Sequence, residues 1–530
     1  MRASLPVVKG ERQPMPNTQY AIRLEHITKT FGEVTANHDV SLEVHHGEIL
    51  SLLGENGSGK TTLMNMIAGI YYPDEGEIYM GDQAVDIRSP RDALRLGIGM
   101  IHQHFKLVDV FTALENIALC MEPGEKFDLK KVRNRARAIC EKYGFALDLD
   151  QKVYEMSVSQ KQTLEIVKVL FRGADILILD EPTAVLTPQE TDKLFAVIRN
   201  MKADGKAVVI ITHKLHEVLT ISDRVAILRR GEYVGDVATK DANEAMLTEM
   251  MVGKKVELDI ERPQPDHPTK RLSVQHLSVT GPEGGRVLDD VSFDAYGGEI
   301  LGIAGISGNG QKELLEAIAG LQRADAGAKI QFFAPGSEDK PTSMLGKTPK
   351  DIRDAGIHLS FVPEDRLGMG LVGSMGITGN MMLKSYGRGA SPIVDRKAPR
   401  KLAEEVREEL GVVTPDLNTP VSQLSGGNVQ KVLVGRELAD SPIVLMTAYA
   451  VRGLDINTSY TIYRLLNEQK KNGVAVIYVG EDLDVLLQLC DRILVLCGGK
   501  ANGILDARTT TKEEVGLRMT DLQNEKEVRA

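Results

Sequence analysis

Apolar and polar positions follow the same order twice along this chain of 530 residues. Each round begins with a segment in which the two kinds of position largely alternate, AIRLEHITKTF in the first and RLSVQHLSVT in the second. Such alternation is typical of a strand with one buried face. Continuous apolar runs such as EILSLL and ILILD then alternate with stretches of helical periodicity. This order predicts an α/β fold built on mainly parallel sheets.

The two rounds are copies of one domain. GEILSLLGENGSGKTTLMNMIAG (47–69) aligns with GEILGIAGISGNGQKELLEAIAG (298–320) at a shift of 251 residues. Further along the shift settles at 268, which relates Ser157 to Ser425 and Asp180 to Ala448. A repeat of this length predicts two tandem α/β nucleotide-binding domains.

The boundaries follow from composition. We expect a mobile tail at 1–20, the first domain at 21–253, a linker at 254–270, the second domain at 271–519 and a tail at 520–530. The linker contains three prolines, which make it extended and fairly stiff.

Net charge and apolar runs limit the partners. A net charge of −10 weighs against a nucleic-acid surface, and no nucleic acid is expected. No run approaches the ~18 apolar residues of a membrane span, and the first twenty residues contain no apolar signal region. The four cysteines show no metal-binding spacing and are typical of a reducing cytoplasm. We therefore expect membrane contact only through partner subunits.

The strongest motif is GENGSGKT (54–61), which follows the strand EILSLL and precedes a helical stretch. In this context GxxxxGK[ST] predicts a P-loop, in which backbone N–H groups and a helix N-terminus surround phosphates. Lys60 would reach the β and γ phosphates, and Thr61 would offer its hydroxyl to Mg²⁺. The nucleotide-binding residues predicted here are Gly54, Glu55, Asn56, Gly57, Ser58, Gly59, Lys60, Thr61 and Thr62.

A second motif is the apolar run ILILDEP (176–182), which ends in two carboxylates. Asp180 suits a magnesium site, and Glu181 suits orientation or deprotonation of an attacking water. Strands often end in an acidic turn, so this motif gains its weight from the P-loop before it.

GENGSGKTT, MIHQHFKLVDVFTALENI, ILILDEPTAVLT and ITHKLHEV together resemble the Walker A, Q-loop, Walker B and H-loop of an ABC ATPase. The resemblance extends from about residue 21 to 519. It implies ATP and Mg²⁺ as cofactors, and in each domain an antiparallel β subdomain and a helical signature subdomain. It also implies that Gln103 contacts Mg²⁺ or the attacking water, that His213 contacts the γ-phosphate, and that Phe31 stacks on adenine.

Other interpretations of these residues stay open. His213 with His216, or the HQH sequence at 102–104, could form a metal site, and Phe31 could simply pack in the core.

ABC ATPases pair the P-loop of one domain with the signature of the other, so the resemblance implies two unlike sites. The first P-loop would meet the intact second signature LSGGN, with site residues Ser425, Gly426, Gly427, Asn428 and Asp455. The second P-loop would meet MSVSQ (156–160), in which both signature glycines are lost. In the second copy substitutions also remove the P-loop lysine and threonine, both Walker B carboxylates, the Q-loop glutamine and the H-loop histidine: Gln311, Lys312, Ala448, Tyr449, Glu364 and Glu481. We expect hydrolysis only at the first of these composite sites.

The fused copies and FVPEDRLGMGLV (361–372) resemble the bacterial importers of ribose, other simple sugars and nucleosides. IHQHF is closest to the nucleoside branch, with a simple sugar as the alternative cargo. The resemblance implies two membrane permease subunits, an extracytoplasmic substrate-binding lipoprotein and a peripheral location on the cytoplasmic face of the cell membrane. Residues 104–122 and 365–390 would receive the permeases.

Two further classes remain as alternatives. A soluble twin-ABC ATPase acting on ribosomes would share the duplication, but such proteins carry two complete sites and a long charged linker. A nucleotide-sensing scaffold without turnover would not need Glu181 and His213.

Overall fold

The computed structural model describes residues 20–32, 34–102, 105–121, 127–183, 186–212, 214–253, 260–265, 267–281, 284–306, 308–385 and 394–520. The chain divides into two compact units between Glu257 and Leu258, and we refer to them as the first and second halves. Most of both predicted tails and residues 254–259 of the predicted linker lie outside the described residues.

The first half contains long strands near its start and short buried strands later. They are β1 (Tyr20–Phe31), β2 (Val34–His45), β3 (Ile49–Leu53), β4 (Glu75–Met80), β5 (Gln83–Val85), β6 (Ile98–Ile101), β7 (Ile176–Asp180), β8 (Ala207–Ile211), β9 (Arg224–Arg229) and β10 (Glu232–Ala238). Within the described ranges they form an antiparallel sheet in the order β2-β1-β4-β5 and a second sheet in the order β10-β9-β3-β8-β7-β6. The second sheet is parallel except for β10. All five residues of β3 are buried, as expected for a central parallel strand.

The helices of the first half surround the parallel sheet or form a separate helical layer. They are α1 (Lys60–Ile67), α2 (Pro90–Arg95), α3 (Ala113–Ala118), α4 (Leu129–Tyr143), α5 (Val158–Phe171), α6 (Pro188–Ala203), α7 (Leu215–Ile221) and α8 (Glu244–Val252). Helices α3, α4 and α5 share an apolar core of their own, to which Leu114, Ala136 and Val167 belong. These three helices form the predicted helical subdomain.

The second half repeats this plan. Its strands are β11 (Thr269–Thr280), β12 (Arg286–Gly297), β13 (Ile300–Ala304), β14 (Lys329–Phe332), β15 (Thr342–Ser343), β16 (Leu359–Val362), β17 (Val444–Ala448), β18 (Ala475–Val479), β19 (Arg492–Cys497) and β20 (Lys500–Asp506). Its helices are α9 (Gln311–Ile318), α10 (Pro349–Asp354), α11 (Ile377–Met382), α12 (Lys397–Glu409), α13 (Gly426–Leu438), α14 (Ile456–Lys471), α15 (Leu483–Leu489) and α16 (Lys512–Thr520). The sheet orders, β12-β11-β14-β15 and β20-β19-β13-β18-β17-β16, match those of the first half. The α/β class and the subdomain division predicted from the sequence are confirmed.

Part of the predicted linker belongs to the second half. Strand β11 already begins at Thr269, so it takes in the last two residues of the predicted linker. Ile260 is buried in the apolar core of this half. Arg262 donates to the carbonyl oxygens of Leu487 and Cys490 at 2.7 and 2.9 Å. The segment 260–265 is therefore packed on the second half as well as joining the two.

Candidate active site

The predicted P-loop connects β3 to the N-terminus of α1, which places it at the carboxyl end of the parallel sheet. Gly57 and Gly59 adopt the left-handed region, with φ of 81° and 95°. A side chain on Gly59 would collide with the carbonyl oxygen of Ala36. The Ser58 hydroxyl is buried and has no protein partner within the described ranges. Because an unpartnered buried hydroxyl is costly, its presence fits a loop built to receive phosphate oxygens.

The P-loop lysine is held inside the loop. Lys60 is buried, and its Nζ donates to the carbonyl oxygens of Gly54 and Glu55 at 2.7 and 2.9 Å. Burial lowers its pKa to about 8, although Glu181 and Asp180 act in the opposite direction. The loop carbonyls thus hold the lysine inside the loop, and an anionic phosphate would favour its charged form.

Asp180 lies across from the first turn of α1. The Thr61 hydroxyl donates to Asp180 Oδ2 at 3.5 Å. Burial and the neighbouring Glu181 raise the pKa of Asp180 to about 6. Within the described ranges no group of three or more His, Cys, Asp or Glu side chains could hold a metal ion. One hydroxyl and one carboxylate instead fit Mg²⁺ that arrives with a nucleotide, since this ion takes few protein ligands and keeps phosphate and water oxygens.

Glu181 occupies a strained corner directly after β7. Its φ is 47°, in the left-handed region that non-glycine residues rarely adopt. The Glu181 N–H donates to the carbonyl oxygen of Ile211, at the end of the adjacent strand β8, at 2.9 Å. This bond fixes the direction in which the side chain leaves the sheet.

Phe31 lies at the end of β1 with 43% of its surface exposed, which contradicts the alternative that it only packs in the core. Its ring meets the edge of Tyr71 at 5.1 Å between centroids, and Lys29 Nζ lies 5.5 Å from the ring centre. The sequence interpretation missed Tyr71, although two adjacent tyrosines before a Pro-Asp-Glu-Gly turn are an unusual composition for a loop. An exposed aromatic pair of this kind offers flat faces on which a base can stack.

Gln103 and His213, which the sequence places in the same site, lie outside the described residues. So does His104 of the HQH sequence. Of the site residues predicted in the first half, the structure describes the P-loop, Phe31, Asp180 and Glu181, and it brings Lys60, Thr61, Asp180 and Glu181 together at one edge of the sheet.

The second half keeps the frame of this site without its charges. Gly308 and Gly310 have φ of 91° and 95°, as in the first P-loop. Gln311 is buried, and its Nε2 donates to the carbonyl oxygen of Ile306 at 3.1 Å. This is the counterpart of the bond from Lys60 to Glu55. The glutamine therefore preserves the shape of the loop and supplies no positive charge.

The Walker B strand of the second half likewise keeps the backbone geometry of the first half but lacks its carboxylates. Tyr449 has a φ of 50°, and its N–H donates to the carbonyl oxygen of Val479 at 2.9 Å, as Glu181 does to Ile211. Burial, with the nearby Glu481 and Glu364, raises the pKa of the Tyr449 phenol to about 12. It stays neutral at physiological pH, so no base replaces the missing glutamate.

The two signature helices differ at their first turn. In the first half, Ser157 and Gln160 form a reciprocal capping box that closes the N-terminus of α5. In the second half no side-chain cap is found for α13 in the described structure. Ser425 Oγ instead accepts from Asn428 Nδ2 at 2.9 Å. The first amides of α13 are therefore open to an external acceptor, whereas those of α5 are partly used.

Asp455 lies beside the second signature. Its carboxylate caps α14 by accepting from the Thr458 N–H and hydroxyl at 2.9 and 2.7 Å. A Cβ on Gly427 would lie 3.6 Å from Asp455 Oδ2. The second half thus brings Ser425, Gly427, Asn428 and Asp455 together.

This duplicated P-loop fold, with one site that keeps its P-loop lysine and Walker B carboxylates and one in which all three are replaced, defines an ATPase of the ABC type. The sequence profile described as "ABC transporter" matches residues 37–184 and again 288–447. The chain belongs to the ABC transporter family.

Relatives of known name match nearly the whole chain. A nucleoside import ATP-binding protein from Lactococcus lactis subsp. cremoris is 39% identical over 503 residues, which is 94% of this chain and 97% of the relative. A glucose import ATP-binding protein from Haloferax volcanii is 38% identical, covering 94% and 95%. A ribose import ATP-binding protein from Corynebacterium glutamicum is 35% identical, covering 93% and 92%.

Among solved structures, an archaeal ribosome recycling factor in complex with a ribosomal stalk protein has a TM-score of 0.58. It covers 91% of this chain and 90% of its own, at 17% identity. At this identity the likeness concerns the fold alone.

Proposed function

We propose that this protein is the ATP-hydrolysing motor subunit of a bacterial importer, and that it hydrolyses ATP at one composite site. That site combines the P-loop and Walker B residues of the first half with the signature of the second. The observation that carries the proposal is the cluster of Lys60, Thr61, Asp180 and Glu181 at one edge of the first sheet. The corresponding residues of the second half are Gln311, Lys312, Ala448 and Tyr449.

Each residue of the cluster has a separate task in this proposal. Lys60 would move its Nζ from the loop carbonyls to the β and γ phosphates, and Thr61 and Asp180 would hold Mg²⁺, which neutralises charge on the phosphates. Glu181 would orient the attacking water from its fixed corner. In phosphoryl transfer, positioning and electrostatics supply most of the acceleration, so the loss of these groups leaves little catalysis in the second half.

Nucleotide recognition is also proposed for the first half. Phe31 and Tyr71 would hold the adenine between them. The corresponding residues of the second half are Gly281 and Gln322, neither of which is aromatic, so only the first half offers this aromatic pair. By resemblance, Gln103 and His213 would contact the metal or water and the γ-phosphate.

The signature of α13 would complete the site from the second half. Its uncapped N-terminal amides suit an anionic acceptor, and Ser425, Gly426, Gly427 and Asn428 would meet the γ-phosphate with Asp455 beside them. In the first half, Val158 and Ser159 replace both glycines and the capping box uses part of the helix N-terminus.

The proposed partners are two permease subunits in the membrane and an extracytoplasmic lipoprotein that delivers the cargo. In the proposed docking segments, Val110 and Leu119 expose 66% and 58% of their surface, and Met369 exposes 43%. In both halves an asparagine clamps the segment: Asn116 accepts from the Val108 N–H at 2.9 Å, and Asn380 accepts from that of Val372 at 2.8 Å. Exposed apolar side chains on a clamped backbone suit a protein partner.

The protein would act at the cytoplasmic face of the membrane through these permeases. None of the helices in the described part of the chain combines the length and the apolar character that a membrane crossing requires.

For the cargo we propose a nucleoside, on the IHQHF resemblance and on nucleoside and guanosine import relatives at 39% and 38% identity. A simple sugar is the second candidate, since a glucose import relative is 38% identical over a similar length.

Steady-state phosphate release from the purified transporter tests the single hydrolytic site. Glu181→Gln should reduce turnover at least a hundredfold while ATP binding persists, because only the water-orienting carboxylate is lost. Tyr449→Phe, the matched change at the corresponding corner of the second half, should stay within twofold of wild type. Normal turnover in Glu181→Gln would contradict the proposal.

A further inference from the structure

Two arginines link the signature of the second half to its Q-loop and H-loop positions. Arg452 is bound to two carboxylates: it pairs with Glu364, and its Nε lies 3.1 Å from Glu481 Oε1. In the alignment of the two copies, these glutamates correspond to Gln103 and His213. A guanidinium presents five donors in a planar fork, so a single Arg452 can hold both acids.

Arg366 continues this link to the signature helix. Its Nη2 donates to the carbonyl oxygen of Arg452, and its Nη1 donates to that of Gly426 at 3.4 Å. Gly426 is the first residue of α13, and Arg452 precedes Asp455 by three residues. One guanidinium therefore bridges the start of the signature helix and the loop that carries Asp455.

The backbone of Arg366 is itself anchored. It begins a helical turn, Arg366–Gly370, that Asp365 caps by accepting from the Leu367 and Gly368 N–H groups. The turn packs closely on α13, since a Cβ on Gly370 would lie 2.8 Å from the Leu433 side chain. Arg366 thus starts from a fixed position beside the helix that it contacts.

The charges explain why this link belongs to the second half. Two carboxylates at the Q-loop and H-loop positions would repel a nucleotide phosphate and each other, and the Arg452 guanidinium lies between them and neutralises part of this charge. Arg366 and Arg452 correspond to Phe105 and Ala184 in the first half, which cannot form such a bridge. The second half, which lacks the catalytic residues, therefore has the Arg452 guanidinium between its Q-loop and H-loop glutamates.

We propose that Arg366 and Arg452 are positioning residues for hydrolysis at the composite site. They hold the second signature and the Asp455 loop in one arrangement. This inference rests on the proposed function, in which the signature of the second half would act on the ATP held by the first.

The test compares Arg366→Gln and Arg452→Gln in the full chain, assembled with its permeases. Both should lower kcat about tenfold per folded molecule, whereas the affinity for ATP should change less than twofold because the first P-loop is untouched. Arg366→Lys keeps the charge but cannot reach both carbonyls, so it should lose at least fivefold. Arg400→Gln is the matched control, since it removes an exposed Arg400–Glu404 pair on α12 and should leave kcat within twofold of wild type.

Turnover is divided by the fraction of folded, active molecules, which melting curves and active-site titration give. If the arginines had a purely structural role, their replacement would lower this fraction and leave the normalised kcat unchanged. Arg452 is about half exposed, so its variant can be examined even if Arg366→Gln folds poorly. Normalised kcat of Arg452→Gln or Arg366→Gln equal to that of the control would overturn the inference, as would wild-type kcat in Arg366→Lys. Gly427→Asp distinguishes failure of this inference from failure of the proposed composite site. If Gly427→Asp loses turnover while the arginine variants have normal turnover, only this inference fails. If it is also normal, the composite site itself is wrong.

Discussion

The two signatures offer a direct test of the asymmetry, through Gly427→Asp and Ser159→Asp. Both positions lie in the first turn of a helix, α13 and α5, where an acidic side chain interacts favourably with the helix dipole. Neither change should therefore unfold its helix. A new Cβ at position 427 would lie 3.6 Å from Asp455 Oδ2, which is an ordinary contact distance, so the backbone accepts a side chain there. The new carboxylate of Gly427→Asp would also be repelled by Asp455, which adds to the effect on the site.

The effect of Gly427→Asp follows from charge. If Gly427 faces the γ-phosphate, the new carboxylate lies within a few ångströms of phosphate oxygens. Like charges about 4 Å apart repel by roughly 4 kcal/mol at an effective dielectric constant near 20, which is close to a thousandfold in rate. Mg²⁺ and water reduce this repulsion, so we expect a loss of at least tenfold. Gly427→Ala, which adds bulk without charge, should lose less.

In the proposed pairing, Ser159→Asp would introduce the same charge beside the second P-loop, in which Gln311 replaces the lysine. We expect ATPase and transport within about threefold of wild type. Matched measurements of phosphate release and uptake in reconstituted vesicles, with equal assembly checked by size-exclusion chromatography, decide the matter. Equal impairment of both variants, or greater impairment of Ser159→Asp, would refute the assignment of one hydrolytic and one degenerate site.

The remaining predictions concern the degenerate P-loop, the cargo and the β subdomain. In a Lys60→Ala background, Gln311→Lys should not restore phosphate release, because the second half still lacks its Walker B carboxylates; recovered hydrolysis would contradict this. Thermal-shift screening of the partner lipoprotein should show stabilisation by nucleosides, and a response to sugars alone would reverse the cargo assignment. Hydrogen bonds from the Lys29 side chain, the Thr30 N–H and the Thr30 hydroxyl lower the pKa of Asp74 to about 2. These bonds therefore stabilise the folded protein fully above the ordinary pKa of an aspartate, and the stabilisation is lost as the pH falls toward 2. Asp74→Asn should therefore lower the melting temperature at pH 7 by about 1–3 °C, since the carboxylate is exposed, and the difference should vanish near pH 2; a constant difference across pH would argue against it.

The fold was largely predictable because its signals are periodic and local. Alternating strands, buried apolar runs and a glycine-rich loop before a helix can each be recognised from residues that are close together in the sequence. Because the domain is repeated, each of these patterns occurs twice and supports the same prediction. Strand β11 begins at Thr269, two residues before the expected boundary at 271, and Thr269 and Lys270 pair with Gly297 and Tyr296 of the next strand, β12.

The contacts that tune the site were less predictable. Tyr71 meets Phe31 only because the chain folds back after α1, and no local pattern announces that contact. Arg366 and Arg452 are 86 residues apart and join through a side chain and a carbonyl oxygen. Arg366 lies in FVPEDRLGMGLV, which resembles a family motif, but the bridge from Arg366 to Arg452 depends on tertiary packing. The different capping of α5 and α13 also depends on tertiary detail. The Ser157 hydroxyl accepts from a backbone N–H of its own helix, whereas the Ser425 hydroxyl accepts from the Asn428 side chain.

The strained corner shared by Glu181 and Tyr449 has a consequence for protein engineering. A left-handed conformation at a non-glycine residue costs on the order of 1–2 kcal/mol, and in the first half that cost could be attributed to catalysis. Tyr449 retains the angle without any catalytic group, so the strain is inherited with the junction between strand and loop. A carboxylate grafted at position 449 would therefore begin from the main-chain geometry that Glu181 uses. At this corner, restoring the catalytic carboxylate is a task of side-chain replacement and needs no change of the main chain.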